Sequence, residues 1–148
     1  MRAVIQRVKR GSVRVGEEIL GEISGGLVIL LGVGPEDTKE TAQKLAGKIA
    51  SLRIFPDTAG KMNLSLLDVE EQALVVPQFT LFADTSRGNR PSFVGAGPPE
   101  AAKPLSSYFA ECLRELGIKT EEGEFGAHMV VEIINDGPVT IWLDTASL

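Results

Sequence analysis

The sequence predicts an α+β protein: a single domain over residues 1–148, with a mainly antiparallel or barrel-like sheet and two principal helices. Three observations predict this class. Short apolar segments of strand character follow one another with turn residues between them. Only two segments have the apolar spacing of an amphipathic helix, and these do not alternate with strands as in a doubly wound sheet. The 148 residues are 43% hydrophobic and 24% charged, which is typical of a folded domain.

The first part of the chain is predicted to be rich in strands. Apolar and polar residues alternate from Val4 to Val15, and Gly16 with the following acidic residues predicts a turn into a second strand. A further turn is predicted at 24–26. The nearly unbroken apolar run 27–33 then predicts a strand that is buried on both faces.

The first helix is predicted to begin after Asp37, which is a plausible N-cap with Glu40 three residues later. Its apolar face comprises Ala42, Leu45, Ala46 and Ile49. Short strands are predicted at 52–55, 64–67 and 73–76, the last ending at Pro77.

Residues 84–99 form a long loop rich in glycine and proline, and loops of this length are usually functional or mobile. The second helix is predicted to begin near Pro99 and to end at Gly117. Its apolar face comprises Ala101, Leu105, Tyr108, Phe109, Cys112, Leu113 and Leu116. Three final strands are predicted at 120–125, 129–134 and 139–144.

Composition excludes several classes of protein. One cysteine cannot form an internal disulfide, and one cysteine with one histidine cannot make a zinc cluster, so we expect a protein of the cytoplasm without metal or cofactor. No membrane-spanning or signal segment is predicted. The net charge of −5 argues against binding to DNA or long RNA. A local basic patch could still hold one RNA end, although it could equally be a solvated strand face; it comprises Arg2, Arg7, Lys9, Arg10 and Arg14.

The segment VVPQFTLFAD follows the predicted buried strand 73–76, and strand ends are common places for site residues. Gln78 offers an amide and Thr80 a hydroxyl, and the backbone amides of Phe79 and Thr80 could face an oxyanion. The alternative is an ordinary strand end in which Thr80 makes a local hydrogen bond.

The segment NDGPVT contains Asp136-Gly137 between two predicted strands, which is a standard hairpin signal. Pro138 directly after the glycine is not explained by a hairpin. A cis peptide bond at this position would turn the neighbouring carbonyls to one side, where they could bind an ammonium group. In the segment EGEFGAHM, the small residues leave room for a flat ligand that Phe125 and Met129 could wall, although both could be core residues.

Together these segments resemble the D-aminoacyl-tRNA deacylase family, from the opening MRAVIQRV to the closing TIWLDT. The family motifs Ser-Gln-x-Thr and Asn-x-Gly-Pro correspond to residues 77–80 and 135–138. The FGAxM stretch corresponds to residues 125–129. The chain departs from the family at Pro77, where the usual residue is serine, so it lacks the serine hydroxyl and one backbone donor.

The resemblance implies a hydrolase that cleaves the ester between a D-amino acid and the terminal adenosine of tRNA, as chiral proofreading in translation quality control. It implies a homodimer in which Gly137 and Pro138 of one subunit enter the pocket of the other and hold the substrate ammonium. L-aminoacyl-tRNA is then rejected by steric exclusion, and glycine, which has no side chain to clash, is expected to be cleaved as well.

The resemblance also implies roles for the remaining site residues: Gln78, Phe79 and Thr80 at the ester carbonyl, Phe125 and Met129 near the terminal adenine, and Arg7 holding the Gly-Pro tip. Without the resemblance, the residues leave other functions open. These are a small amino-acid esterase that does not need tRNA, a non-catalytic module that binds RNA ends, and a dimeric β-rich domain in which Gly-Pro is only a turn.

Overall fold

The computed structural model describes residues 1–148. Its elements, in chain order, are β1 (Arg2–Val15), β2 (Glu18–Ile23), β3 (Gly26–Gly32), α1 (Lys39–Ser51), β4 (Phe55–Pro56), β5 (Met62–Leu64), α2 (Leu66–Val69), β6 (Gln72–Pro77), a 3-10 helix (Phe79–Phe82), α3 (Pro99–Glu115), β7 (Thr120–Glu122), β8 (Val130–Asp144) and a second 3-10 helix (Thr145–Ser147).

The main sheet has six strands, with the order β2-β1-β3-β6-β7 and with β8 paired to β1. The pairs that β1 makes with β2, β3 and β8 are antiparallel, whereas β3–β6 and β6–β7 are parallel. The sheet curves until β2 meets β7. The two strands are in contact at Gly21, where an added Cβ would lie 2.9 Å from the Cβ of Glu121. The predicted α+β class with a barrel-like sheet is confirmed, and the sheet is mixed.

Strand β3 lies between β1 and β6, and the prediction that it is buried on both faces is confirmed. Because side chains alternate along a strand, Leu27, Ile29 and Leu31 join the larger core cluster, which contains the helices. Val28 points the other way into a smaller cluster with residues of β1, β2 and β6. The strand therefore joins the two halves of the core.

Helices α1 and α3 pack against each other over the larger core cluster. The predicted buried face of α1 is confirmed. On α3, Ala101 and Leu116 were wrongly assigned to the buried face, since Ala101 faces outward in the first turn and Leu116 lies at the C-cap. The buried side comprises Ala102, Ser106, Phe109, Ala110, Cys112 and Leu113. Gly117, with φ +93°, follows the C-cap of the helix as predicted.

The predicted N-cap of α1 is wrong by one residue. Thr38 caps the helix and forms reciprocal hydrogen bonds with Thr41. The Asp37 carboxylate instead accepts a hydrogen bond of 2.7 Å from the N-terminal ammonium of Met1. A charged partner that the fold brings from a distant part of the chain therefore takes the carboxylate, and the neighbouring threonine provides the cap.

Two short strands also differ from the prediction. The segment predicted at 52–55 pairs only at Phe55 and Pro56, as β4. The strand predicted at 64–67 is wrong, because Ser65 caps the one-turn helix α2 and forms reciprocal hydrogen bonds with Asp68. The side chain of Ser65 takes the backbone amide that a strand would have paired.

The end of the chain holds two strands where three were predicted. β7 covers residues 120–122, and the segments predicted at 129–134 and 139–144 both fall in the single long strand β8, which begins at Val130. Both parts of β8 pair with β1 in the same antiparallel direction, so the hairpin predicted at Asp136-Gly137 is wrong. The chain leaves β1 briefly and returns to it without reversing.

Cys112 is a core residue, as expected, and burial raises the pKa of its thiol. None of the helices combines the length and the apolar character that are needed to cross a membrane.

Candidate functional site

The turn that follows β6 carries the first three candidate residues. The Gln78 amide donates a hydrogen bond of 2.8 Å to the Leu31 carbonyl, so the end of β6 is fixed to β3. The chain then turns into the 3-10 helix, whose first amides are those of Phe79 and Thr80. Amides at the start of a helix have no acceptor within the helix and are free to face a ligand. The side-chain amide of Gln78 donates to the Thr80 hydroxyl.

Phe79 is 54% exposed, and its ring meets that of Phe93 edge to face with 5.1 Å between the centroids. Phe93 follows a loop whose base is closed by two backbone hydrogen bonds between Asp84 and Ser92, of 2.8 and 2.9 Å. Ser86, through its hydroxyl and its amide, lowers the pKa of Asp84, so this carboxylate is already engaged within the loop. Phe93 thus holds the base of the loop 84–92 beside the Gln78–Thr80 turn.

Gly137 and Pro138 lie at the tip of a protrusion from β8. Residues 136–139 have no partner on β1, since Asn135 pairs with Val8 and Thr140 pairs with Gln6. Both tip residues are exposed, and the peptide bond between them is cis. We call residues 136–139 the β8 protrusion.

Two polar side chains fix the base of the β8 protrusion. Asn135 accepts a hydrogen bond of 2.8 Å from the Val139 amide and donates one of 3.2 Å to its carbonyl, replacing the ladder bonds that β1 cannot supply. Arg7 donates to the carbonyls of Asp136, at 3.0 Å, and Ile54, at 2.6 Å. The Arg7 side chain is only 12% exposed and also pairs with the Asp136 carboxylate at 3.7 Å.

Phe125 and Met129 lie on the segment between β7 and β8. Phe125 and Pro77 line a cavity of about 340 Å³ beside α3. Met129 packs against the smaller core cluster, and its sulfur accepts a hydrogen bond of 3.4 Å from the Glu124 amide. The segment therefore flanks the strand end from which the Gln78–Thr80 turn begins.

Within one chain, the β8 protrusion lies far from the Gln78–Thr80 turn. The protrusion is opposite Arg7, which pairs with Leu27, and Leu27 pairs with Ala73 at the start of β6. The turn begins at Pro77, four residues further along β6. Four residues along a strand and three strand spacings across the sheet amount to roughly 20 Å. The chain therefore brings Gln78, Phe79, Thr80 and Phe125 to one region and leaves Gly137 and Pro138 in another.

Most of the basic patch predicted in β1 is neutralised. Each of four of its side chains has a carboxylate partner within 4.0 Å: Arg2 with Asp144, Arg7 and Lys9 with Asp136, and Arg10 with Glu22 and Glu132. Only Arg14 has no such partner. A phosphate at these side chains would have to compete with the carboxylates, so the alternative of a solvated strand face describes this surface better than a nucleic-acid site does.

Sequence reasoning assigned no role to Asn135 or Phe93. Asn135 precedes a segment that was interpreted as a hairpin, so its closure of a protrusion had no visible reason. Phe93 lies in a loop without periodicity, and its contact with Phe79 depends on how the loop folds back. A cavity of about 510 Å³ lies between Arg2, Asp37 and Lys44 and touches none of the candidate residues. No three His, Cys, Asp or Glu side chains are grouped so that they could hold a metal ion.

Known proteins resemble this chain over nearly its whole length. The family described as D-Tyr-tRNA(Tyr) deacylase matches residues 4–144. A D-aminoacyl-tRNA deacylase of Thermomicrobium roseum is 56% identical over 148 residues, which cover 100% of this chain and 96% of the relative. Among solved structures, the c-Myc DNA Unwinding Element Binding Protein is 42% identical with a TM-score of 0.90, covering 97% of this chain and 98% of its own. A probable eukaryotic D-amino acid tRNA deacylase has a TM-score of 0.86 at 16% identity, covering 96% and 97%, and shows likeness of fold alone.

Proposed function

Because the chain belongs to the D-Tyr-tRNA(Tyr) deacylase family, we propose that it hydrolyses the ester between a D-amino acid and the terminal adenosine of tRNA, in the cytoplasm. The observation that carries the proposal is the β8 protrusion, which Arg7 and Asn135 hold by hydrogen bonds while Gly137 and Pro138 stay exposed. A rigid, exposed backbone tip is suited to test the configuration of a small substrate.

The β8 protrusion supplies selectivity by excluding one configuration. In the proposed complex, carbonyls of Gly137 and Pro138 accept hydrogen bonds from the substrate ammonium. With the ammonium and the ester both held, an L side chain points into the tip, while a D side chain points to solvent. Selection of this kind needs no contact with the accepted side chain, so many D-amino acids and glycine are accepted.

Catalysis rests on the position of the ester and on amide donors. The Gln78–Thr80 turn faces the ester carbonyl, and the amides of Phe79 and Thr80 stabilise the oxyanion that forms when water attacks. Phe125 and Met129 lie near the terminal adenine. The ester is already activated by the neighbouring ribose hydroxyl, so binding in the reactive position provides a large part of the rate.

A complete site needs two subunits. The tip and the turn of one chain are roughly 20 Å apart by the register of the sheet, too far to hold one aminoacyl group between them. We therefore infer a homodimer in which each tip enters the partner's site. β8 is an edge strand with half-exposed apolar residues, Val130, Ile134 and Trp142, and an exposed edge of this kind is stabilised by covering it.

The test is release of labelled amino acid from D-tyrosyl-, L-tyrosyl- and glycyl-tRNA at equal catalytic enzyme concentration, with a chelator present. We expect rapid loss of the D ester, slower but measurable loss of the glycyl ester, and an intact L ester. Equal protection of glycyl- and L-tyrosyl-tRNA would contradict selection by exclusion.

Two other functions give different results in the same assay. An esterase that does not need tRNA would cleave the free D-tyrosine ethyl ester at a comparable rate. A module that only binds RNA ends would retain charged tRNA on a filter without releasing amino acid. Either result would overturn the proposal.

The role of Thr80 is tested by two substitutions, of which one removes the hydroxyl and the other removes the methyl group. Thr80→Val removes the hydroxyl that accepts the Gln78 hydrogen bond, and Thr80→Ser keeps it. As a wall of the pocket, Thr80 needs no hydroxyl, so we expect kcat to fall less than about tenfold in both variants. No acid or base lies next to Thr80 in the chain to activate it. A loss beyond roughly 10³-fold in the valine variant alone, measured by single-turnover kinetics, would make Thr80 the nucleophile.

A further inference from the structure

Most arginine side chains of this chain are already engaged. Those with an acid or amide partner are Arg2, Arg7, Arg10, Arg53 and Arg114. Three remain without any ion pair or hydrogen bond: Arg14, Arg87 and Arg90. Two of these three lie on the loop 84–92. In a chain with net charge −5, this loop is therefore a local concentration of unused positive charge.

The loop 84–92 presents its two arginines to solvent on a fixed base. Its ends are joined by the Asp84–Ser92 hydrogen bonds, and Phe93 packs against Phe79. Arg87 and Arg90 are both exposed. From 85 to 99 the chain contains no Asp or Glu, and the Asp84 carboxylate is held by Ser86. Nothing within the loop therefore competes for the two guanidinium groups.

The loop is also close to the proposed site. Arg90 precedes Phe93 by three residues, so their Cα atoms are at most roughly 11 Å apart. Because Phe93 packs against Phe79, a chemical group bound by Arg90 lies on the same side of the molecule as an ester held at Phe79. The group that fits is a phosphate, because the planar fork of a guanidinium binds two phosphate oxygens at once.

We propose that Arg87 and Arg90 bind phosphates of the single-stranded 3′ end of tRNA, next to the terminal adenosine. This inference rests on the proposed function and adds the contact that distinguishes tRNA from a free amino-acid ester. The arginines bind the RNA backbone and position its end; they take no part in the chemistry at the ester. Because they have no acid partner to release, the contact forms without breaking an ion pair.

The test compares Arg87→Gln/Arg90→Gln with the wild-type chain on D-tyrosyl-tRNA over a range of salt concentrations. Each single-strand phosphate contact contributes about 0.7 to the slope of log affinity against log salt, so removing two should reduce the slope by about 1.4. We expect KM at low salt to rise about tenfold while kcat stays within about twofold. Arg87→Lys/Arg90→Lys keeps both charges and should retain most of the slope.

The matched control is Lys48→Gln/Lys119→Gln, which removes the same charge from two exposed lysines without a carboxylate partner. Both lie away from the Gln78–Thr80 turn: Lys119 precedes β7 beside the start of β6, whereas the turn follows the end of that strand, and Lys48 is in the last turn of α1. We expect its KM and salt slope to match those of the wild type. An equal change in the control, or no change in the arginine variant, would overturn the proposal.

Two further substrates separate this inference from the proposed function. D-tyrosyl-adenosine carries no phosphate, so the arginine variant and the wild type should cleave it equally; a loss on this ester would mean that the loop shapes the ester pocket instead. The second is uncharged tRNA, whose binding is measured by fluorescence anisotropy without any catalytic step. If the wild type cleaves no ester, the proposed function fails, but the arginine contacts can still be tested by binding. Weaker binding of uncharged tRNA by the arginine variant than by the wild type would support these contacts, and equal binding would overturn them.

Discussion

Replacing Gly137 by alanine is expected to lower kcat/KM for D-tyrosyl-tRNA by about 10²-fold, because a displacement of about 1 Å in a positioning group has an effect of this size. Gly137 has a φ of +139°, a region that alanine rarely adopts. A Cβ at this position would also lie 2.9 Å from the Val139 amide nitrogen and 3.2 Å from an Arg7 nitrogen. The tip must shift to relieve these contacts, and it is the tip that selects the substrate.

The control for this variant is Gly16→Ala. Gly16 is also a turn glycine of positive φ, at +59°, but a Cβ there meets nothing within 4 Å. We expect a stability loss of about 1 kcal/mol and unchanged activity in the control. Loss of less than tenfold in activity for Gly137→Ala would contradict a positioning role for the tip.

Co-expression with Gln78→Ala tests whether the site is shared between subunits. Gln78→Ala damages the turn, and Gly137→Ala damages the tip. In a random mixture about half of the dimers contain one subunit of each kind, and each of these has one site without a lesion, so about a quarter of the wild-type activity should return. Activity no higher than that of the separate variants would contradict a site built across the interface.

Replacing Gly26 by alanine is expected to reduce the free energy of unfolding by at least about 4 kcal/mol, which corresponds to a fall in Tm of roughly 8–16 °C. The φ of Gly26 is +138°, and a Cβ there would lie 1.9 Å from the Gln72 carbonyl oxygen. Gly26 pairs with Val8 on one side and Gln72 on the other. Space can be made only by separating β3 from β6 in the centre of the sheet.

The neighbouring glycine provides the control. At Gly25 the nearest atom to a built Cβ is a carboxylate oxygen of Glu71, at 2.7 Å, and this flexible side chain can move away. Gly25→Ala should therefore cost less than about 1 kcal/mol. Equilibrium unfolding in urea measures both variants, and a difference of less than about 1 kcal/mol between them would contradict the steric argument.

The features that sequence predicted well depend on local patterns. The apolar run that became β3 and the apolar face of α1 are both contained in short stretches of chain, so periodicity is enough to identify them. Asp37 was misassigned because its ammonium partner is distant in sequence, and local spacing cannot reveal it. The same limit applies to α2, where Ser65 and Asp68 form a capping box inside a segment that is apolar enough for a strand.

The candidate site shows the same division. The residues of the Gln78–Thr80 turn stand out because a buried strand ends there, and Gly137-Pro138 stands out by its residue types. The hairpin interpretation failed because Asp-Gly signals a turn without indicating whether the chain reverses or returns to the same neighbour. The separation of roughly 20 Å between tip and turn follows only from the register of four strands, which no local pattern contains.

The pairing of β1 with β8 has a consequence for how the protein folds. It joins residues 2–14 to residues 130–144, the greatest sequence separation between any two paired strands of the sheet. Contacts of such separation close large loops and tend to form slowly, so this fold has a high contact order. During synthesis, β1 must wait for β8 to leave the ribosome, and its outer edge stays uncovered until then. The tip that checks the substrate is therefore among the last parts of the molecule to become structured.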